Sequence, residues 1–167
     1  GLDPNRTSNF NTRQNSYDIS ADVLGYPESY YTPPAEAIKE IQIVRGAASL
    51  QYGTQFGGLI NFVLKEPPNK KIDAVIRNTI GSNNQYTNFT SIGGKKNKFS
   101  FYAFYNHKRG DGFRNNSNYK SNNVYVHLKK NLSNKGELSG EVTYMNYLAK
   151  QAGGLSDRMF INNPMQS

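Results

Sequence analysis

The chain has no cysteine. That excludes disulfide staples and thiolate metal sites, and it says little about compartment. Nor does any apolar run approach the ~20 residues of a membrane-spanning helix, so helical spans are excluded. A transmembrane β-barrel stays open, because its alternating strands dilute any hydropathy signal. Catalytic constellations are missing as well: there is no GxSxG, no P-loop and no HExxH. His107 and His127 fall in separate strand-like segments, without cysteines or paired carboxylates at useful spacing. This points away from an enzyme and from a resident metal. Acidic charge is scarce too, with 12 Asp and Glu against 20 Lys and Arg, a net charge of +8. Such an excess is either a solvated basic surface or an attraction for anionic ligands and lipid headgroups. The lysines cluster in turns (Lys95, Lys96, Lys98; Lys129, Lys130, Lys135), where they meet headgroups or solvent, and this argues against nucleic acid.

What is present suits short strands and turns. Hydrophobic residues are 36 % and charged residues 19 %, yet aromatics reach 13 %, with 12 Tyr and 9 Phe. Mean hydropathy is −0.73. Low charge with many Tyr, Asn and Gly is not the composition of an acidic disordered chain. At 167 residues there is room for one domain or two small ones. The opening Gly-Leu-Asp-Pro-Asn is turn-like and carries no signal peptide, as expected of a segment cut from something longer.

Ala37 to Lys65 organises the front of the chain. Ile38 to Val44 reads as a short half-buried strand with Ile41 and Ile43 on one face, and Leu59 to Leu64 as a second strand. Arg45-Gly46 closes the first, Ala47 to Tyr52 has room for one helical turn, and Gly57-Gly58 lets the backbone pass close to a neighbour. Before this, residues 1 to 31 are rich in turn formers with little periodicity. Thr32 followed by Pro33-Pro34 predicts a brief helical turn to Ala37, capped by the threonine hydroxyl. Glu66-Pro67-Pro68-Asn69 is a stiff linker and the clearest boundary.

Beyond it the pattern alternates. Strands are expected at Lys71–Gly81, Tyr86–Gly94, Phe99–His107, Ser121–Lys130 and Glu137–Tyr147, about ten residues each, which suffices to cross a bilayer at a tilt. Turns at 95–98 and 132–136 are short, and connections at 108–120 and 148–167 are longer loops. That alternation is a habit of outer-membrane barrels, which the short 81–85 connection fits less well. Tyr86, Tyr105, Tyr144 and Tyr147 near strand ends suit an interfacial girdle. Gly93-Gly94 reads as a packing or strand-bend feature. A soluble antiparallel sheet is the plainer alternative, disfavoured because both faces of 99–107 carry aromatics.

The series Val44-Arg45-Gly46, Tyr52-Gly53, Gly57-Gly58 and Ile60-Asn61-Phe62-Val63-Leu64-Lys65 resembles the closing segment of the plug domain in TonB-dependent outer-membrane receptors. Gly1 to Arg6, Gly25 to Glu28 and Tyr31 to Pro34 are similar to the ferric-citrate branch. The family's usual Asp-Gly-x-Pro turn reads Leu24-Gly25-Tyr26-Pro27 here, and residues 7–23 match poorly. The resemblance implies a mainly β fold, with residues 1–68 as the C-terminal part of a plug and 69–167 as the first strands of a barrel. Five strands cannot close around a plug, since plugged transporters need roughly 22, and an isolated open wall should aggregate through its edge.

The implied function is import of a ferric chelate, a citrate-like siderophore, across the bacterial outer membrane. TonB would pull through a segment preceding residue 1, and lipid and lipopolysaccharide would surround the wall. No covalently bound cofactor is implied; the chelate is cargo. A polyanion calls for fixed cations and amide donors; the resemblance implies Arg6, in the Gly1–Arg6 stretch, and Gln55, where the branch has a glutamine after Tyr-Gly-x, as candidate ligand contacts, and Arg13 is a third by charge alone. For Arg6 and Arg13 a loop salt bridge is the plainer role. Arg45 would tie plug to wall, with Gly46, Tyr52, Gly53, Gly57 and Gly58 shaping the plug. Two alternatives remain. One is a TonB-dependent importer of glycan or another nutrient, although glycan importers usually carry Lys-Asp-Ala-Ser-Ala where this chain has Arg45-Gly46-Ala47-Ala48-Ser49. The other is a non-transporting β-rich binding or adhesion module, which would be monodisperse without detergent.

Overall fold

The structure is a computed structural model and describes residues 10–19, 31–45, 57–133 and 136–167. The chain divides into two compact units between Lys65 and Glu66.

The first unit holds a four-stranded sheet built from β1 (Asn11–Gln14), β2 (Tyr17–Asp18), β3 (Ile38–Val44) and β4 (Leu59–Leu64), in the order β2-β1-β4-β3. β1 and β2 form a two-residue hairpin in which Asn15 (φ 48°) and Ser16 (φ 71°) both take the left-handed conformation that the tightest hairpin turns require. The same turn is bolted to β4 by side chains. Asn15 Oδ1 accepts from the Leu64 amide at 2.8 Å, and Asn61 Oδ1 accepts from the Ser16 amide at 2.9 Å. β1 runs parallel to β4, and β3 is antiparallel to it on the other side. Leu59 and Leu64 are buried, with Tyr31 and Ala37. The Tyr31 phenol donates to Gln14 Oε1 at 2.8 Å, and burial pushes its pKa up, so it stays a neutral donor.

Two local expectations are corrected in this unit. β3 has the expected bounds but lies at the sheet edge, so Ile41 and Ile43 are exposed rather than half-buried. The turn before it is a 3-10 helix at Ala35–Ala37 whose cap is Pro34, not Thr32, and no side chain caps it. Proline holds the extended φ needed at that position, so the hydroxyl is not required. Gly58 has φ 111°, and a Cβ placed on it would collide with the carbonyl oxygen of Val44. The close approach expected at the glycine pair is therefore a strand-to-strand contact that only a residue without a side chain permits. The helical turn considered for Ala47–Tyr52 lies outside the described residues.

The second unit is an antiparallel meander of five strands in sequence order: β5 (Asp73–Ile80), β6 (Tyr86–Lys96), β7 (Phe99–Gly110), β8 (Tyr119–Ser133) and β9 (Gly136–Ala149). The sheet is not closed, since β5 and β9 each have one neighbour. β6 to β9 run 11 to 15 residues, longer than the apolar alternation alone indicates. The β5–β6 connection is a two-residue turn with Asn83 (φ 53°) and Asn84 (φ 55°) in the left-handed region. Short as it is, it sits with the long loops, because the Asp111 amide donates to Asn83 O at 2.9 Å. The final loop contains a short helix that the sequence reading lacks, α1 (Asp157–Asn162), whose cap Ser156 accepts from the Met159 amide.

At the opposite end the linker crosses β6. Lys95 N donates to Lys70 O at 2.7 Å, and Lys95 Nζ to Asn69 Oδ1 at 3.1 Å. A Cβ on Gly93 would stand 2.6 Å from Pro68 Cδ, and one on Gly94 would meet the Lys71 carbonyl. The Gly93-Gly94 pair is thus the saddle over which residues 68–71 pass.

Candidate functional site

Strand register sorts the meander into two faces of opposite chemistry. On one face, Ala74, Ile92, Ala103, Val126 and Val142 lie directly opposite one another across all five strands, an unbroken apolar row. The flanking rows are Gly94, Phe101, Leu128 and Gly140 on one side, and Ile76, Thr90, Tyr105, Val124 and Tyr144 on the other. This apolar face is the exposed one: Ile76 is 71 % exposed, Val142 67 % and Leu138 61 %. A water-soluble sheet hides such a face.

The band stops abruptly at both ends. Towards the long loops comes a polar row, Asn78, Asn88, His107, Asn122 and Asn146. It is stitched sideways, with Asn88 Nδ2 donating to Asn78 Oδ1 at 2.8 Å and His107 Nδ1 lying 2.8 Å from Asn122 Oδ1. Tyrosines on either side aim their hydroxyls into it: Tyr105 donates to Asn122 Oδ1 at 2.9 Å and Tyr86 to Asn78 Oδ1 at 3.0 Å. The Arg109 guanidinium stands 5.5 Å from the Tyr86 ring centre. At the short-turn end the band finishes in the row Lys96, Phe99, Lys130 and Leu138. From Phe99 to His107 the apolar height is roughly 20 Å once a strand tilt of ~40° is allowed for. Tyr86, Tyr105 and Tyr144 stand on this face where a girdle would place them. Tyr147 does not, since three residues separate it from Tyr144 and period two turns it to the other side.

The other face is mixed and largely covered. Phe89, Phe104 and Tyr125 are buried beside Ser91, Asn106, Asn123 and His127. Phe104 stacks on Tyr125 at 5.3 Å between ring centres, and Phe89 lies 5.7 Å from Phe104. His127 Nε2 is 3.8 Å from Glu141 Oε1. Lys129 reaches Glu66 at 3.0 Å and Glu137 at 3.1 Å, joining the linker's first residue to β8 and β9. Buried polar groups sit among aromatic rings on this face while the purely apolar rows lie on the exposed one, which departs from the usual globular arrangement.

At the long-loop end Arg114 is the organising residue. Its Nε and Nη2 donate to Gln166 O at 3.1 and 2.7 Å, and Nη2 also donates to Gly153 O at 2.8 Å. One guanidinium thereby fastens the 111–118 loop to the segment carrying α1. Arg114→Ala is expected to leave the sheet intact while hydrogen exchange of the Asn115 amide, bonded to Met165 O, quickens about tenfold. Unchanged exchange would mean that the loops hold together without it.

Of the candidate ligand residues, Arg13 lies on β1 with its Nε donating to Asn11 Oδ1 at 2.7 Å and its Nη1 to Ser16 O at 2.6 Å. Its guanidinium braces the hairpin. Arg45 is exposed just beyond β3, and Gly57 stands in the turn leading to Gly58. Arg6, Gly46, Tyr52, Gly53 and Gln55 lie outside the described residues. Neither the β1–β2 brace nor Arg114 was marked by the sequence, because polar loop residues carry no periodicity. Among the described residues no group of His, Asp and Glu could hold a metal ion.

No protein-family model matches the sequence, and no curated protein matches it. Solved structures do match the fold. The siderophore receptor PirA of Pseudomonas aeruginosa aligns with a TM-score of 0.60 and 20 % identity, over 84 % of this chain and 27 % of its own. The pyoverdine outer membrane receptor FpvA of Pseudomonas aeruginosa PAO1, solved bound to pyoverdine, gives 0.71 and 17 %, over 82 % and 20 %. The copper transporter OprC gives 0.67 and 15 %, over 87 % and 24 %. The chain thus spans between 20 % and 27 % of the length of these structures. At such identities the likeness is one of fold: a mainly β arrangement of a small mixed sheet followed by open antiparallel wall strands.

Proposed function

We propose that the chain is part of a TonB-dependent receptor of the bacterial outer membrane, with residues 1–68 closing a plug and 69–167 opening the barrel around it. The meander's two faces carry this reading, because an exposed unbroken apolar row backed by a face of buried Ser91, Asn106, Asn123 and His127 among aromatic rings suits strands between lipid and a polar lumen. Fold likeness to a siderophore receptor, a pyoverdine receptor and a copper transporter supports a metal or metal-chelate cargo. TonB supplies the work by pulling on the plug.

The cargo of this reading is a ferric chelate of the citrate type. It is polyanionic; the resemblance of Gly1–Arg6 to the ferric-citrate branch brings Arg6 forward as a contact, and Gln55 stands where that branch has a glutamine after Tyr-Gly-x. Arg13 is a third candidate by charge alone, and its guanidinium braces its hairpin. Titrating ferric citrate into the full-length protein tests the assignment. Arg6→Ala and Gln55→Ala are each expected to weaken binding about tenfold, the effect of one charge-assisted or buried polar contact. Unchanged affinity in both removes the site, and no binding by the wild type removes the citrate cargo.

A further inference from the structure

The apolar face is not flat. Between β7, β8 and β9, near the short-turn end, lies a groove of about 390 Å³ lined by Phe99, Leu128, Lys130, Leu138, Ser139 and Gly140. Its floor is Gly140, where an added Cβ would meet nothing within 4 Å. Its walls are exposed apolar side chains: Phe99 is 44 % exposed, Leu128 45 % and Leu138 61 %. At its mouth stands the row in which Lys96 and Lys130 flank Phe99 on the two neighbouring strands. Lys98 stands in the adjoining turn, so the mouth is basic, whereas Lys95 shares the row of Ser100 and Lys129 on the opposite face. Lys129 faces the other way and is held by Glu66 and Glu137.

We propose that this groove holds one anionic phospholipid, with an acyl chain along Gly140 and its phosphate met by Lys130 and Lys96. The groove's volume lies at the small end for ligand sites, enough for part of one chain and not for a whole lipid. Lysine stems extend the apolar wall while their ammonium groups reach the headgroup level, the usual behaviour of long cationic side chains at such a boundary. The missing side chain at position 140 makes the notch, and the charge at its mouth selects the occupant. A zwitterionic lipid gains nothing from that charge, and an anionic headgroup gains most at low salt.

This inference rests on the membrane-wall reading above, and one experiment separates the two. The full-length protein is released from detergent for native mass spectrometry with phosphatidylglycerol or phosphatidylcholine added, and the same samples are run for heat-modifiable mobility, which reports a folded barrel. One phosphatidylglycerol is expected to stay bound at the lowest lipid concentration, in preference to phosphatidylcholine. Lys96→Ala and Lys130→Ala are each expected to lower that occupancy about fivefold. Gly140→Leu, which fills the notch without touching either lysine, should lower it about tenfold. Unchanged phosphatidylglycerol occupancy in Gly140→Leu overturns the groove, as does equal retention of phosphatidylcholine by the wild type or a second protein chain in the lipid's place. If these occur in a folded barrel, only the groove is lost. If the wild type shows no folded barrel, the wall reading falls with it.

Discussion

Val142→Arg is expected to block outer-membrane assembly of the full-length protein. Val142 stands in the middle of the apolar band, opposite Val126, and is 67 % exposed. If that exposure is to lipid, an arginine near the midplane costs about 2–4 kcal/mol, a large part of a typical margin of stability. If the exposure is to water, the same change lies on an open surface and shifts stability by no more than about 0.5 kcal/mol. The two readings of the sheet therefore differ by several kcal/mol at one position. Heat-modifiable mobility and outer-membrane fractionation measure the outcome. Normal assembly of Val142→Arg would return the meander to the soluble class. A useful companion is Thr143→Arg, on the opposite face beside Tyr125 in register, where assembly should survive.

The second large effect belongs to the first unit. Gly58→Ala is expected to cost about 2–4 kcal/mol, through an unfavourable backbone conformation and a collision together. At φ 111° the residue sits where side chains are rarely tolerated, and its Cβ would enter the space of the Val44 carbonyl, a backbone atom that cannot swing aside. Relief would require β3 and β4 to part at the end where Val44 pairs with Leu59. Faster proteolysis of the first unit in the full-length protein is the readout. Gly154→Ala is the control, because nothing lies within 4 Å of its added Cβ and no positive φ is involved. Equal protease resistance of the two variants would show that the close approach is not needed.

How much of this was legible depended on which force fixed each element. β7 was readable because its outward residues Phe99, Phe101, Ala103 and Tyr105 alternate with Ser100, Tyr102, Phe104 and Asn106. Its end was not, because hydrogen bonding continues through Lys108, Arg109 and Gly110 after the apolar pattern has stopped. β8 likewise runs past Lys130 through Asn131, Leu132 and Ser133. Backbone pairing outlasts hydrophobic alternation wherever strands leave an apolar surroundings for water. β1 was invisible for a related reason: Asn-Thr-Arg-Gln has no apolar period, and its parallel place beside β4 depends on contacts from Asn15 and Asn61. α1, at six residues, is too short for helical periodicity to show. Of the candidate contacts, Arg13 shows what composition cannot: its charge was evident, and its engagement by Asn11 and Ser16 was not.

Among the described residues β5 pairs with β6 alone, so one edge of Asp73–Ile80 has no strand beside it there. If the wall of the proposed barrel closes, that edge pairs with a strand far from it in sequence. The seam is then the contact of greatest sequence separation in the molecule, and forming it should be the slow step of maturation. Until then the open edge, beside the exposed Ile76 and Ile80, is a template on which another chain can pair.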